Sequence, residues 1–122
     1  MQDLVGITRT ESDLTKAVDK ITEMKTLIKK VGCDGNRNFN PGWHTALELN
    51  HMITVAEAIT RAARERKESR GGHFREDFPE KSNEFGNVNI SIIKSGPETI
   101  EVKQKAKLDM RSDLQQIIEE MK

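Results

Sequence analysis

The sequence predicts a mainly α fold: an antiparallel helical bundle of two long helices plus a short C-terminal helix, with a small β-hairpin. Three observations carry this expectation. Apolar residues recur every three or four positions from Leu14 to Val31, the spacing of an amphipathic helix. The same spacing returns from Trp43 to Ala63. Beyond Pro79 the period drops to two, in Asn87–Ile92 and Thr99–Lys103, as strands require.

Residues 1–9 form a short lead-in whose Leu4, Val5 and Ile7 offer apolar contacts. Thr10 is a good N-cap, and Glu11 and Asp13 put negative charge in the next turn, where the helix dipole favours it. Leu14, Val18, Ile21, Met24, Ile28 and Val31 form the buried stripe of the first helix, which Gly32 closes as a C′ residue. The stretch 32–42 is a loop rich in Gly and Asn. Asn40 and Pro41 then read as N-cap and N1 of a second helix running to Ser69. Its face carries Trp43, Leu47, Ile53, Ala56, Ile59 and Ala63; Leu49, Met52 and Val55 widen it, so burial on more than one side is expected. The β-branched run Ile53-Thr54-Val55 admits a break near His51–Thr54. Gly71-Gly72 ends the helix.

The hairpin turns at Ser95-Gly96-Pro97, and because an isolated hairpin is marginal in water it should lie on the helices or on a partner. Ser112 to Met121 fits a short helix through Leu114, Ile117, Ile118 and Met121. The expected organisation is a helical bundle over 1–80, with the hairpin and terminal helix of 81–122 packed on it.

At 122 residues the chain is about one domain. Its core is thin: 34% of residues are apolar, with one Trp, four Phe and no Tyr. Twenty basic and twenty acidic residues cancel, which argues against nucleic acid as the main partner and gives no pull toward an anionic membrane. A lone cysteine, Cys33, fits a reducing, cytoplasmic setting. The N-terminus lacks an apolar run of signal-peptide type, and no segment nears the roughly 20 apolar residues of a membrane span, so no direct membrane insertion is expected.

His44, Glu48 and His51 share one helix face, and Glu48-x-x-His51 is half of a di-metal motif. The second copy and the further glutamates are missing, so no metal site is assigned; polar residues hydrogen-bonded at a helix interface are the competing reading. Cys33 has no neighbouring base in the sequence, and neither a P-loop nor a Gly-x-Gly-x-x-Gly occurs. No catalytic or cofactor-binding residue is assigned.

The densest chemistry lies in residues 66–79. Arg66, Glu68, Ser69, Arg70, His73, Arg75 and Asp77 surround a flexible Gly71-Gly72 pair. Two readings stand: a solvated charge run, or a structured docking loop whose guanidinium forks seek carboxylates across a joint.

Asn40-Pro41-Gly42-Trp43, Ala46-Leu47-Glu48-Leu49, Asn50-His51-Met52, Ala56-Glu57 and Ala62-Ala63 lead into Arg66-x-Glu68-Ser69-Arg70-Gly71-x-His73-x-Arg75-x-Asp77. Over residues 1 to about 80 this resembles the C-terminal helical region of the succinate dehydrogenase/fumarate reductase flavoprotein subunits. The resemblance implies a parent that uses FAD to interconvert succinate and fumarate. It implies an iron–sulfur subunit as electron partner and peripheral attachment at the inner face of the cell membrane. Related aspartate oxidases share such a region, and a free-standing interaction or assembly module is a further alternative. In the family, the flavin-attachment and substrate residues lie upstream of this region. This chain alone is therefore expected to be inactive, to pack on a flavin-binding domain of its parent, and to self-associate when excised. The seven corner residues are the expected domain interface.

Overall fold

The computed structural model describes residues 1–121 and contains β1 (Thr8–Arg9), α1 (Glu11–Ile28), α2 (Pro41–Glu65), β2 (Phe74–Arg75), α3 (Asn83–Gly86), β3 (Val88–Lys94), β4 (Ile100–Ala106) and α4 (Ser112–Glu120). Two ion pairs set the direction of the long helices. Glu11 at the start of α1 meets Arg64 near the end of α2, and Lys25 further along α1 meets Glu57 further back on α2. The helices therefore run antiparallel, as the sequence predicts.

Thr10 caps α1 by accepting from the Asp13 N–H at 3.2 Å. The helix stops at Ile28 rather than reaching Gly32, a correction with a local cause. The Lys30 and Val31 amides bond three residues back, to Leu27 and Ile28, so the last turn tightens and Val31 faces solvent. Asn40 caps α2 by accepting from the Gly42 and Trp43 amides, with Pro41 at N1.

The break expected near His51–Thr54 is absent; α2 runs unbroken from Pro41 to Glu65. Thr54 donates its hydroxyl to the Asn50 carbonyl at 2.7 Å, and Ile53 is half-buried. The few tenths of a kcal/mol that β-branched residues lose in a helix do not outweigh that packing. The helix ends at Glu65, not Ser69, because Arg66 adopts an extended backbone. Gly71 then takes a positive φ of 59°, and Arg70 and His73 exchange backbone bonds of 2.8 and 3.1 Å around it, making a tight two-residue turn.

The core is small. Val5, Leu14, Ala17 and Ala63 form one buried cluster with Leu4 against it, and Ile21 lies buried further along α1. The lead-in is held over this cluster by parallel pairing of β1 with β2, Thr8 opposite Phe74 and Arg9 opposite Arg75. The hairpin pairs Val88 with Ala106 through Lys94 with Ile100 and packs on α2, with Val88, Ile90, Ile92 and Val102 on one half-buried face. The terminal helix departs from the expected packing: every residue of α4 is exposed, including Leu114, Ile117 and Ile118. Among the described residues no helix is long and apolar enough to cross a membrane.

Candidate functional site

Among the described residues, the corner after α2 holds three of the five buried polar or charged side chains, Glu68, Ser69 and Arg75. Arg75 is fully buried, and its five N–H donors all meet acceptors. Nε and Nη2 form a two-pronged bond to the Asp77 carboxylate, both at 2.7 Å. Nη2 also donates to Glu11 at 3.0 Å, and Nη1 donates to the carbonyls of Ala63 and Arg64 at 3.3 and 3.2 Å. Those carbonyls belong to the last turn of α2, where the helix itself offers no donor, so Arg75 caps it with a positive charge. The guanidinium also sits 5.0 Å from the Phe78 ring centre.

Glu68, also fully buried, is the anionic counterpart. One oxygen accepts from Arg66 and from Arg70 at 3.0 Å; the other accepts from the Ser82 amide at 2.9 Å, which joins the corner to the start of α3. Ser69 donates to the Phe78 carbonyl at 2.9 Å and accepts from the Arg75 amide at 2.9 Å. The hydrogen bond from Arg70, then those from Ser82 and Arg66, hold the Glu68 carboxyl down at about 2 against the opposing effect of burial. The hydrogen bond from Arg75 and the Glu11 amide likewise hold Asp77 at about 2, although burial opposes them. Arg75 is raised in turn, chiefly by its bond to Asp77.

His73 lies between two partners of opposite character. Its Nδ1 is 2.7 Å from Arg9 Nη1, and its Nε2 is 3.0 Å from the Arg66 carbonyl oxygen. Burial pushes its pKa below the usual value; the Arg66 carbonyl opposes this, and the Arg9, Arg75 and Arg66 cations add to the depression.

All seven residues expected at a domain interface thus come together, but the reason given for an outside partner is corrected. Their buried polar groups are satisfied within the chain, and no buried side-chain nitrogen or oxygen among the described residues lacks a partner. The sequence reading missed Glu11, Arg9, Ser82 and the α2 carbonyls as those partners. A signal was present. Arg66, Glu68 and Arg70, and again Arg75 and Asp77, are spaced by two, which puts them on one side of an extended backbone.

The other candidates look different. His44, Glu48 and His51 are exposed on α2 rather than bonded at a helix interface, and the described residues bring no three His, Cys, Asp or Glu together as a metal cluster. Cys33 is exposed beside Asn40. An open cleft of about 300 Å³ lies between α1, α2 and the hairpin tip. Two of its three lysines are already tied, Lys25 to Glu57 and Lys29 to Glu98 at 2.8 Å. On the outside of α2, Leu47, Met52, Val55 and Ile59 keep between 46% and 62% of their surface exposed, far more than a finished core face would leave.

Comparison with known proteins decides what this architecture is. A family model described as the fumarate reductase flavoprotein C-terminal region matches residues 1–118. The chain belongs to that family. It is 43% identical over 91 residues to an uncharacterized FAD-dependent oxidoreductase of Methanocaldococcus jannaschii, covering 74% of this chain and 16% of that protein. It is 40% identical over 82 residues to the fumarate reductase flavoprotein subunit of Haemophilus influenzae, covering 66% and 14%. Among solved structures, the Mycobacterium smegmatis Sdh1 complex with UQ1 contains a chain that superimposes with a TM-score of 0.87 at 36% identity, covering 98% of this chain and 20% of that one. The chain therefore spans about a sixth of its curated relatives. As a member of a flavoprotein family it raises the question of FAD, and its residues do not fit one. There is no glycine-rich turn opening a helix to cradle a pyrophosphate, and in the cleft between α1, α2 and the hairpin tip two of the three lysines, Lys25 and Lys29, are already paired with carboxylates.

Proposed function

We propose that this chain is the packing domain at the C-terminal end of an FAD-dependent flavoprotein that interconverts succinate and fumarate. The flavin and the dicarboxylate would be held by the rest of the parent. The match over residues 1–118 to a family defined by its C-terminal regions supports this most, because those relatives are almost five times as long as this chain. Alone, the chain catalyses nothing; in the parent it orients the flavin domain. The parent passes electrons to an iron–sulfur subunit and sits peripherally at the inner, cytoplasmic face of the cell membrane. Freed from its parent, the chain self-associates.

The joint we propose is the exposed apolar strip of Met52, Val55 and Ile59, which fall at i, i+3 and i+7 of α2 and so share one side, with Leu47 next to it. Of the corner residues, Arg70 keeps 42% of its side chain exposed, and we assign it to the neighbour-facing side. Arg66, Glu68, Ser69, His73, Arg75 and Asp77 act by fixing the shape of the corner.

A graft tests this. In the Mycobacterium smegmatis relative, the matching fifth of the flavoprotein is deleted and this chain is supplied in its place; bound FAD and succinate-dependent dye reduction are then measured. Both should return with the graft and be absent without it, and this chain alone should show neither. Succinate oxidation by this chain alone would overturn the reading. So would a graft that leaves FAD unbound while the relative's own segment restores it.

A further inference from the structure

We propose that His73 is an acid-sensitive latch: protonation of its ring releases the lead-in, residues 1–9, from the corner that follows α2. The argument starts from the two ring contacts. A guanidinium can only donate, so the Nδ1 that lies 2.7 Å from Arg9 Nη1 must be the bare, accepting nitrogen. A carbonyl can only accept, so the Nε2 at 3.0 Å from the Arg66 oxygen must carry the proton. One tautomer of the neutral ring satisfies both, and the imidazolium satisfies only one.

A proton added at Nδ1 would point an N–H at an N–H of Arg9 and place a fourth positive group among three. The charged groups facing the ring are all cations: Arg9 from β1, Arg66 at the end of α2 and Arg75 from β2. The corner carboxylates do not offset them, because Glu68 is held by Arg66 and Arg70, and Asp77 and Glu11 by Arg75. Arg9 in turn has no carboxylate partner among the described salt bridges. Its guanidinium contacts are the Gly6 carbonyl at 2.8 Å and this ring nitrogen. Once His73 is charged, Arg9 is repelled from the ring.

Arg9 carries the lead-in with it. Its carbonyl accepts from the Glu76 amide at 3.0 Å, and it pairs with Arg75 in the hydrogen-bonded ladder that ties residues 1–9 to the corner. The lead-in places Val5, 6% exposed, on Leu14, Ala17 and Ala63. Unlatching therefore uncovers the apolar seat between α1 and α2. The event lies well apart from acid unfolding, because the Glu68 and Asp77 carboxyls titrate only near 2.

The test follows the ring and the lead-in separately in this chain. Ring nitrogen NMR, with His73 assigned by its loss in His73→Gln, should show Nε2–H and bare Nδ1 near neutral pH. Its midpoint should lie below that of an unperturbed histidine, about 6.5. Amide exchange of residues 1–9 and 76, corrected for intrinsic pH dependence, should lose at least about tenfold protection from about pH 7.5 to about pH 5. His73→Gln should have no such step, whatever its baseline. Arg9→Met should move the His73 midpoint upward. The proposal is overturned if the wild-type ring carries its proton on Nδ1 at neutral pH. It is also overturned if lead-in protection is flat across that range, or if the step survives in His73→Gln.

Discussion

Replacing Arg75 with methionine keeps the aliphatic stem and removes a guanidinium that makes five hydrogen bonds in a fully buried position. Breaking a buried charge pair by removing one partner costs about 3–5 kcal/mol, most of it for leaving the other partner unmet. Here the partners are unequal. Asp77 and Glu11 keep 30% and 48% of their side-chain surface, so both can recover water. The Ala63 and Arg64 carbonyls sit at the last turn of α2, and the Ala63 residue is buried. An unmet buried acceptor costs about 1–3 kcal/mol. Adding the lost fork to Asp77 gives an expected loss of about 4 kcal/mol, a large share of the about 5–15 kcal/mol typical of a domain. With a urea slope near 2 kcal/mol per M, the midpoint should fall by about 2 M, read from far-UV circular dichroism. A shift under about 0.5 M would refute the reasoning, for it would mean that Arg75 serves a contact outside the chain. Arg75→Lys should recover little, since an ammonium cannot reproduce the fork.

Acid should weaken the chain with a defined sign. Glu68 falls from its ordinary 4.5 to about 2 on folding, so its contribution is whole above about pH 4.5 and is lost as pH drops toward 2; Glu68→Gln should flatten that part of a stability–pH curve. Thr10→Ala removes the side-chain acceptor of the Asp13 amide and should cost about 1 kcal/mol in urea unfolding. Met52→Ser with Val55→Ser should leave the chain's own urea midpoint within about 0.5 kcal/mol, because both side chains are more than half exposed. In the grafted flavoprotein the same pair should lower FAD retention, and equal retention would place the joint elsewhere.

Long elements were legible in the sequence because their signals repeat. The Thr10 and Asn40 caps, Pro41 and the two apolar stripes locate α1 and α2, and period-two alternation locates β3 and β4. What escaped was too short to repeat or too distant to see. β1 and β2 are two residues each and pair across 66 positions, and α3 is four residues long. The α1 end was misplaced because Val31 keeps the apolar spacing although the backbone has already tightened. The corner residues were all identifiable from Arg66 to Asp77, yet their partners were not. Glu11 and Arg9 lie 64 residues from Arg75 and His73, and no local pattern encodes that encounter. The spacing of two within Arg66-x-Glu68-x-Arg70 was the one available hint that the charges answer one another.

The division of the interior explains why such a corner exists. Among the described residues, five apolar and five polar or charged residues are buried, and the apolar set includes two alanines. Apolar contact is non-directional, so a seam of Leu14, Ala17 and Ala63 holds α1 against α2 without defining how one is rotated or slid along the other. Arg75 defines both. Its Nη1 is fixed on the last turn of α2, its Nη2 reaches Glu11 in the first turn of α1, and its Nε with Nη2 grips Asp77, whose other bond is to the Glu11 amide. One planar group thus gauges the start of one helix against the end of the other, and a slide of one residue, about 1.5 Å, would break the set. On the proposed reading, a domain that presents α2 to a neighbour gains more from that registration than from further apolar burial. The same requirement explains why the charged groups lie inside the joint's foundation while the apolar ones face outward.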